Sequence, residues 1–551
     1  MREIVLKHAL INAVRYGGKA KVGAVIGKVL AEKPELKSKI EEVRKICEEI
    51  VKEVNAMSLD EQKKMMEDLG IEIVEKEYEQ KLPELPCAKN GVVMRIAPFP
   101  SGPLHIGNAR MAVLNDEYVK RYGGKLLLVI DDTIGSEEKT IDPDAYELII
   151  DGLRWLGIEF HEVYYKSDRL EIFYEFAERL IKEGIAYVCE CDAETLREKR
   201  RKGEECEHRN RSVEENLKKW KEMLEGKFRE GEAVLRLKTD MKHPDPAFRD
   251  RVLCRIVERE HPRVGKKYRV WPMLEFSWAV DDQLLGITHI LRGKDLIIED
   301  MVEEYIWDKL GMKKPHFIHY GLFRLEGVKL SKSYARKAIE KGEYIGWDDP
   351  RTWSLQALRR RGIQPQAIRN FVLKLGLSLA DIVVPVELLY SENRKIIDPI
   401  ANRYFAVFDP VEIEVVGAPE ITSASAPLHP DFPERGKRSI PVNLKKIYIE
   451  RSDLENYEGR VVRLMDLCNV RLGKKSEYVG KELTHEIPKI HWVSEPNVEI
   501  EVVMDDCSIK KGIAEPSVGK LKEGDLVQFV REFFCRTDEV GEKIRFFYTH
   551  D

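Results

Sequence analysis

The chain is poor in the features that mark exported, membrane-spanning or fibrous proteins. Nine cysteines in 551 residues are too sparse for a disulfide scaffold, and most stand alone, which points to a reducing compartment. Apolar runs are short: LLLVI at Leu126–Ile130 is far below the length of a bilayer span. The opening MREIVLKHAL carries no signal-peptide pattern. Internal repeats and low-complexity tracts are also missing. A soluble, cytoplasmic protein with no membrane partner is expected. Strong charge of one sign is lacking too. At a net charge of −5 the whole molecule does not attract nucleic acid, so an RNA partner has to be met by local basic surfaces.

What is present is ordinary globular material in a long chain. Hydrophobic residues make up 43%, as in typical domains, and 551 residues exceed what one core serves, so three or four domains are expected. Charged residues reach 34%, rich in Lys and Glu, a usage compatible with heat stability and with solubility alike.

Periodicity changes along the chain. Residues 1 to about 85 read as helices. In Lys37–Val54 the apolar Ile40, Val43, Ile46, Cys47, Ile50 and Val54 keep a 3.6-residue stripe. Ser58, with Glu61 three residues later, is a helix-start pattern, and Pro83–Asn90 reads as a linker. From Gly91 the order becomes strand (Gly91–Ala97), loop, helix from Ile106 to the Gly123-Gly124 pair, and strand (KLLLVIDD), with helices at Ala145–Leu156 and Arg169–Glu183. That is the βαβ grammar of a parallel sheet. A charged insertion fills residues 186 to about 270. Sheet pattern is expected to return over Trp271–Leu296, with Leu274 and Trp278 on a strand, before a helix at Ile298–Leu310. Trp347–Leu377 reads as helical and basic. Beyond about Pro385, short alternating strands between Gly and Pro turns predict β-barrels.

Two segments carry chemistry. PSGPLHIGNAR spans Pro100–Arg110, and KLSKS spans Lys329–Ser333, about 220 residues further on. In the first, a strand and loop feed a helix N-terminus, where unpaired N–H groups and the helix dipole favour phosphate. Gly102 and Gly107 allow close backbone approach, and His105 offers a donor to a phosphate oxygen. In the second, Lys329 and Lys332 flank a loop that brings positive charge to a phosphoryl group. A carboxylate attacking an α-phosphorus needs little covalent help, so positioning and electrostatics suffice, and Lys332 is the candidate for stabilising that transition state. A triphosphate implies Mg²⁺. Each segment alone reads equally well as a turn or a solvated basic loop; the pair is what is specific.

The insertion holds Cys189-x-Cys191 and Cys206-x-His208, three thiolates and an imidazole that suit a closed tetrahedral zinc site of structural type. Basic runs at Leu196–Lys202, Arg209–Arg211 and Arg359–Arg361 could track phosphates, although a solvated face explains any one of them.

PSGPLHIGNAR and KLSKS, in this order, resemble the two ATP signatures of class I aminoacyl-tRNA synthetases, HIGH and KMSKS. RIAPFPSGPLHIGNAR, IDDT, DPDAYELIIDGLRWLGI, YKSDRLEIFYEFAERLIKEGIAYVCEC, VDDQLLGITHILRGKDL and RYFAVFDP narrow the resemblance, over nearly the whole chain, to the glutamyl- and glutaminyl-tRNA synthetases of archaeal and eukaryotic form. Asn108 stands where the signature has His, as it often does in archaeal members of the glutamyl branch.

The resemblance implies a multidomain α/β plus all-β fold. An N-terminal helical extension would occupy residues 1–88. A Rossmann-like catalytic domain (89–188 and 269–335) would be split by an acceptor-end-binding insertion (189–268). A helical stem-contact domain (336–388) and β-barrel anticodon-binding domains (389–551) would follow. It implies ATP and Mg²⁺ as cofactors, with structural zinc in the insertion. L-glutamate and tRNA-Glu would be the substrates, with tRNA-Gln left open as a second acceptor. His105, Asn108, Lys329 and Lys332 would act in catalysis, and Pro100, Ser101, Gly102, His105, Gly107, Asn108, Lys329, Ser331, Lys332 and Ser333 would hold ATP. Arg95, Ala97, Ser101, Asp131, Leu274, Trp278 and Arg292 would hold the amino acid. Glutamate's two carboxylates and ammonium call for two cationic forks and an anion, here Arg95, Arg292 and Asp131. The Arg292 position is arginine in glutamyl enzymes and small and neutral in glutaminyl ones, which favours glutamate. Arg403, Arg435 and Arg438 are candidates for reading the anticodon. The competing readings are the glutaminyl enzyme, an RNA-binding scaffold with a decayed site, and a nucleotidyltransferase without tRNA specificity.

Overall fold

Helices open the chain, as the 3.6-residue pattern demands. α1 (Arg2–Arg15), α2 (Val22–Glu32), α3 (Ile40–Asn55) and α4 (Leu59–Asp68) belong to a unit of their own, Met1–Glu79, and Gln80–Asp551 form the other. The computed structural model describes all residues except 1, 16–17, 21, 34–35, 37–38, 72–81, 136–139, 483–486 and 542. Within the first unit α3 buries Val43, Cys47, Ile50, Val51 and Val54; of the stripe read from the sequence, Ile40 and Ile46 are only half-buried, and Val51 joins it; its expected start at Lys37 and Ser38 lies outside the described residues. Ser58 and Glu61 form the reciprocal capping box at the start of α4, an arrangement that stabilises a helix by about 1 kcal/mol.

The second unit begins with β1 (Val92–Ile96), α5 (Ile106–Tyr122), β2 (Gly124–Ile130), α6 (Ala145–Trp155), β3 (Glu162–Tyr165) and α7 (Leu170–Lys182). β1, β2 and β3 pair in parallel, with Arg95 opposite Leu127 and Ile130 opposite Tyr165. Leu126, Leu128, Val129 and Ile130 are buried, as strands covered on both faces must be. An antiparallel sheet of β4 (Ala186–Cys189), β5 (Val234–Leu237), β6 (Val252–Ile256) and β7 (Val270–Pro272) makes the insertion, which also carries α8 (Ala193–Lys202) and α9 (Val213–Leu224).

The chain then returns through α10 (Leu274–Leu284) to β8 (His289–Gly293), α11 (Ile297–Lys309) and β9 (His316–Tyr320), with β8 and β9 parallel. Leu274 and Trp278 are therefore on a helix and not on the expected strand. Pro272 closes β7, and the segment turns helical immediately after it, burying Phe276, Ala279 and Val280. Thr288 links the two halves: its amide donates to Val93 O at 2.9 Å and its hydroxyl accepts from Val93 N at 2.9 Å. The carboxyl ends of β1 and β8 thus flank the crevice where such sheets bind ligands.

α12 (Lys332–Glu340), α13 (Leu355–Arg360), α14 (Pro365–Leu375) and α15 (Glu387–Ile397) follow. α15 runs across position 388, so the boundary drawn there falls inside a helix. Two seven-stranded sheets complete the chain. One wraps a core containing Ile447, Val470 and Trp492, the other a core containing Val527, Phe529 and Phe546. The chain enters the second sheet first, where Asn402 pairs with Val527 and Val407 with Ile513. It then builds the other sheet and returns. No helix among the described residues is long and apolar enough to cross a membrane.

Arg361, expected in a phosphate-tracking run, is instead a buried clasp between α13 and the last strand. It donates to Tyr548 O at 3.3 Å, Thr549 O at 3.0 Å and Tyr390 Oη at 2.8 Å. Arg361→Met leaves these acceptors buried and unmet, a loss of about 3 kcal/mol. A thermal unfolding scan is expected to show the transition lowered by several degrees, and an unchanged transition would refute the clasp.

Candidate active site

His105 caps α5 and is oriented by doing so. Its Nδ1 accepts from Gly107 N at 3.0 Å, while Asn108 Oδ1 accepts from His105 N at 3.3 Å. With Nδ1 accepting, the proton of the neutral ring sits on Nε2 as a free donor. Desolvation of the ring, with Lys332 nearby, holds its pKa at about 3, so His105 works as a neutral hydrogen-bond donor. Gly107 is required by this pose, because a Cβ there would lie 2.8 Å from the imidazole Cε1.

The helix amides are already spent. Ile106 N donates to Trp353 O at 3.1 Å, Gly107 N to His105 Nδ1, and Asn108 N to His105 O at 2.8 Å. The expectation of free N–H groups for phosphate is corrected accordingly: a phosphate here meets side chains.

The KLSKS segment comes back onto the PSGP loop. Ser331 caps α12 through Tyr334 N, and Lys332 is the first residue of the helix. The Lys332 ammonium donates to Gly102 O at 3.3 Å. One turn later, Arg336 donates to Ser101 O and to Thr140. Burial, with Arg336 adding repulsion, lowers the Lys332 pKa to about 8. Trp347 packs on Gly102 so closely that a Cβ would meet its ring at 2.6 Å, and Gly102 also takes φ of 143°, so only glycine fits. The Trp347 indole donates to Asp142 Oδ2 at 3.0 Å, and Asp142 N donates to Pro100 O at 2.9 Å. Lys329 is exposed, its ammonium 3.9 Å from the Tyr334 ring centre, and the Ser333 hydroxyl lies 3.3 Å from that of Ser331. A cleft of about 410 Å³ lined by His105, Gly107, Asn108, Arg110, Tyr320 and Lys329 has the size of a small-molecule site. Sequence reasoning missed Arg336, Trp347 and Asp142, whose contacts with the loop are tertiary and leave no spacing signal.

The other half of the site surrounds one indole. Arg95, Arg292 and Lys166 place their cationic groups 4.6, 4.9 and 5.1 Å from the Trp278 ring centre. Each is already paired. Arg95 holds both carboxylate oxygens of Asp282, one at 2.8 Å. Arg292, only 4% exposed, donates to Glu303 at 2.9 Å and to Asp300. Lys166 sits 3.3 Å from Asp131 and donates to Ser277 Oγ at 2.6 Å. Burial raises the Glu303 pKa to about 8 although Arg292 opposes it. Asp131 also accepts from Thr133 Oγ1 at 3.1 Å. Ala97 follows β1, and Leu274 begins α10 with its carbonyl accepting from Ser277 Oγ. Lys166 was missed in the sequence; the available signal was its place directly after the third strand, as Asp131 directly follows the second.

In the insertion, one ligand atom from each of Cys189, Cys191, Cys206 and His208 lies within 4.8 Å of the others. His208 Nδ1 is 3.5 Å from Cys191 Sγ and 3.8 Å from Cys189 Sγ. Arg236 points a guanidinium N–H at Cys189 and Cys206, 3.7 and 3.8 Å away, which suits the net negative charge of a three-thiolate zinc centre. The set fits that ion.

Most of the basic runs are consumed internally. Arg209 pairs with Asp250, Arg211 with Glu190, Arg359 with Asp151 and Arg360 with Asp538, leaving Arg197 and Arg201 exposed on α8, together with Lys202, which pairs there with Glu198. The anticodon-reading candidates also have partners within the chain. Arg403 pairs with Asp398, Arg438 with Glu515, and Arg435 donates to Pro399 O, Ile400 O and Asn402.

Comparison with known proteins bears on both halves. The family described as tRNA synthetases class I (E and Q), catalytic domain, matches residues 91–399, and its anti-codon binding domain matches 401–487. The chain is 48% identical over 572 aligned residues to the glutamate–tRNA ligase of Pyrococcus abyssi, covering 100% of both chains. It is 45% identical to that of Methanothermobacter thermautotrophicus, covering 100% of this chain and 99% of the relative.

ATP affinity is expected to fall as pH rises through about 8, where Lys332 loses its proton, by about tenfold per pH unit. His105, neutral down to a pH of about 3, adds no acid limb. Calorimetric titration at several pH values checks this, and the alkaline fall should vanish in Lys332→Met.

Proposed function

Because the chain belongs to the class I tRNA synthetases of the E and Q branch, we propose that it is a glutamate–tRNA ligase. It activates L-glutamate with ATP and Mg²⁺ and passes the glutamyl group to the 3′ end of tRNA-Glu. The observation that carries this is the meeting of the His105 and Lys332 segments at one cleft, with a buried arginine pair beside the same strand ends.

A carboxylate oxygen of glutamate attacks the α-phosphorus, and pyrophosphate leaves. The neutral His105 donates Nε2–H to a phosphoryl oxygen. Lys332 exchanges the Gly102 carbonyl for the phosphoryl oxygens on which charge builds. Arg336 keeps the PSGP loop in place during that exchange. In the second step a ribose hydroxyl of the terminal nucleotide attacks the glutamyl carbonyl, and AMP leaves. Magnesium, bound with the triphosphate, neutralises phosphate charge.

Arg292 favours glutamate over glutamine. Held by Asp300 and Glu303, its guanidinium exchanges one protein carboxylate for a substrate carboxylate, a like-for-like swap that the weaker, neutral amide of glutamine does not offer. The acceptor end is gripped by the insertion, with Arg197, Arg201 and Lys202 toward phosphate, and the anticodon by the C-terminal sheets. Charging of tRNA-Glu with glutamate, with tRNA-Gln and glutamine run in parallel, tests the assignment. Arg292→Cys is expected to cut glutamate-dependent ATP–pyrophosphate exchange, measured with tRNA present, by more than about tenfold; full exchange would remove Arg292 from the site.

Cys189, Cys191, Cys206 and His208 hold a structural zinc ion that fixes the insertion. Metal analysis is expected to find about one equivalent of zinc per chain, lost in Cys206→Ser with a lower thermal transition. Zinc below about a tenth of an equivalent would refute the site.

A further inference from the structure

Lys166 is buried completely, and no step above uses it. It is the first residue past β3, and its neighbour across the sheet, Asp131, is the first past β2, since Ile130 and Tyr165 are in register. Adjacent parallel strands therefore each deliver one charge to the carboxyl edge, where ligands of such sheets bind. A lysine in that place is either a fixed counter-ion for Asp131 or part of the recognition surface.

Unspent donors decide between them. An ammonium has three N–H donors; Lys166 has two partners among the described residues, Ser277 Oγ at 2.6 Å and Asp131 at 3.3 Å. The Trp278 indole N–H beside it is buried without a hydrogen-bond partner, and so is Arg292 Nε. Trp278 itself is only 5% exposed. Three spare donors thus gather around a single ring, with two arginines and a lysine over it. Buried donors left unmet are unfavourable, by about 1–3 kcal/mol each; Glu303 Oε2 and Asp281 Oδ2 are buried acceptors without partners in the same cluster, but they belong to groups that already face Arg292 and Arg169, and the donors over the Trp278 ring call for a ligand that brings acceptors. A carboxylate is acceptor-only, whereas a carboxamide brings two donors of its own.

From this convergence we infer that Lys166 is a third cation of the amino-acid site, binding a carboxylate of the substrate together with the Trp278 N–H. It thereby selects the dicarboxylate against its amide. The inference rests on the glutamate reading above. Ser277 fixes the Lys166 ammonium, and the Asp131 carboxylate accepts from both that ammonium and the incoming α-ammonium.

Steady-state aminoacylation by K166M and K166R, with separate KM values for glutamate and ATP and a thermal scan of each, tests this. K166M is expected to raise the glutamate KM at least about tenfold and to narrow the preference over glutamine, with the ATP KM close to wild type and the thermal transition lowered by loss of the buried pair with Asp131. K166R should recover most of the loss. An unchanged glutamate KM in K166M overturns the inference, as do equal losses in both KM values or failure of both variants to fold, which would make the lysine structural. Glutamate charging by the wild type leaves the functional reading standing in all those cases; its absence would remove both.

Discussion

A single ammonium–carbonyl contact, Lys332 on Gly102, ties together two segments that most of the catalytic domain separates. It exists only because β8, β9 and α12 carry the chain back to the crevice opened beside β1. Much of the nucleotide half is arranged around it. Trp347 presses on the same glycine, Arg336 holds the neighbouring carbonyl, and His105 is kept neutral by its burial, with the Lys332 charge adding to the effect. A backbone carbonyl is a weak partner for a desolvated ammonium, and a phosphoryl oxygen is a stronger one. The contact thus holds the lysine in readiness without competing seriously with a triphosphate.

The amino-acid half follows a different logic. Its arginines are met by Asp282, Asp300 and Glu303 of the protein itself. Such pairs cost desolvation and are poor sources of net stability. What they do achieve is orientation: carboxylates chemically like a substrate carboxylate hold each guanidinium over the Trp278 ring. On the proposed reading, binding would replace one carboxylate by another, and Glu303, whose burial favours the protonated form, would give up its charge when displaced.

Parts of this were legible in the sequence, and the physical reasons are particular. Helix α5 and strands β1 and β2 were readable because Gly123 and Gly124 and a continuous apolar run mark their limits. The capping box of α4 was readable from two residues. The convergence of Cys189, Cys191, Cys206 and His208 was readable because paired spacing survives folding. The α10 segment was misread because a short apolar run fits strand and buried helix equally. The basic runs misled because a charge count cannot reveal that Asp250, Glu190 and Asp151 wait on other elements. Phosphate-ready amides at α5 were expected from local pattern alone, and a tertiary partner, Trp353, took one of them.

The strand order of the two C-terminal sheets bears on biosynthesis. Asn402 and Val407 lie in strands whose partners are Val527 and Ile513, so on the ribosome they emerge long before anything can pair with them. The intervening sheet is built from nearer neighbours and can close while those edges are still bare. Non-local pairing of this kind is slow, because chain closure entropy must be overcome before contacts reward it. During translation the nascent chain therefore carries an unfinished, edge-exposed β region, and the Arg361 clasp also waits for the last strand. That interval is when this protein most needs a chaperone or a bound partner to keep its open strands from other chains.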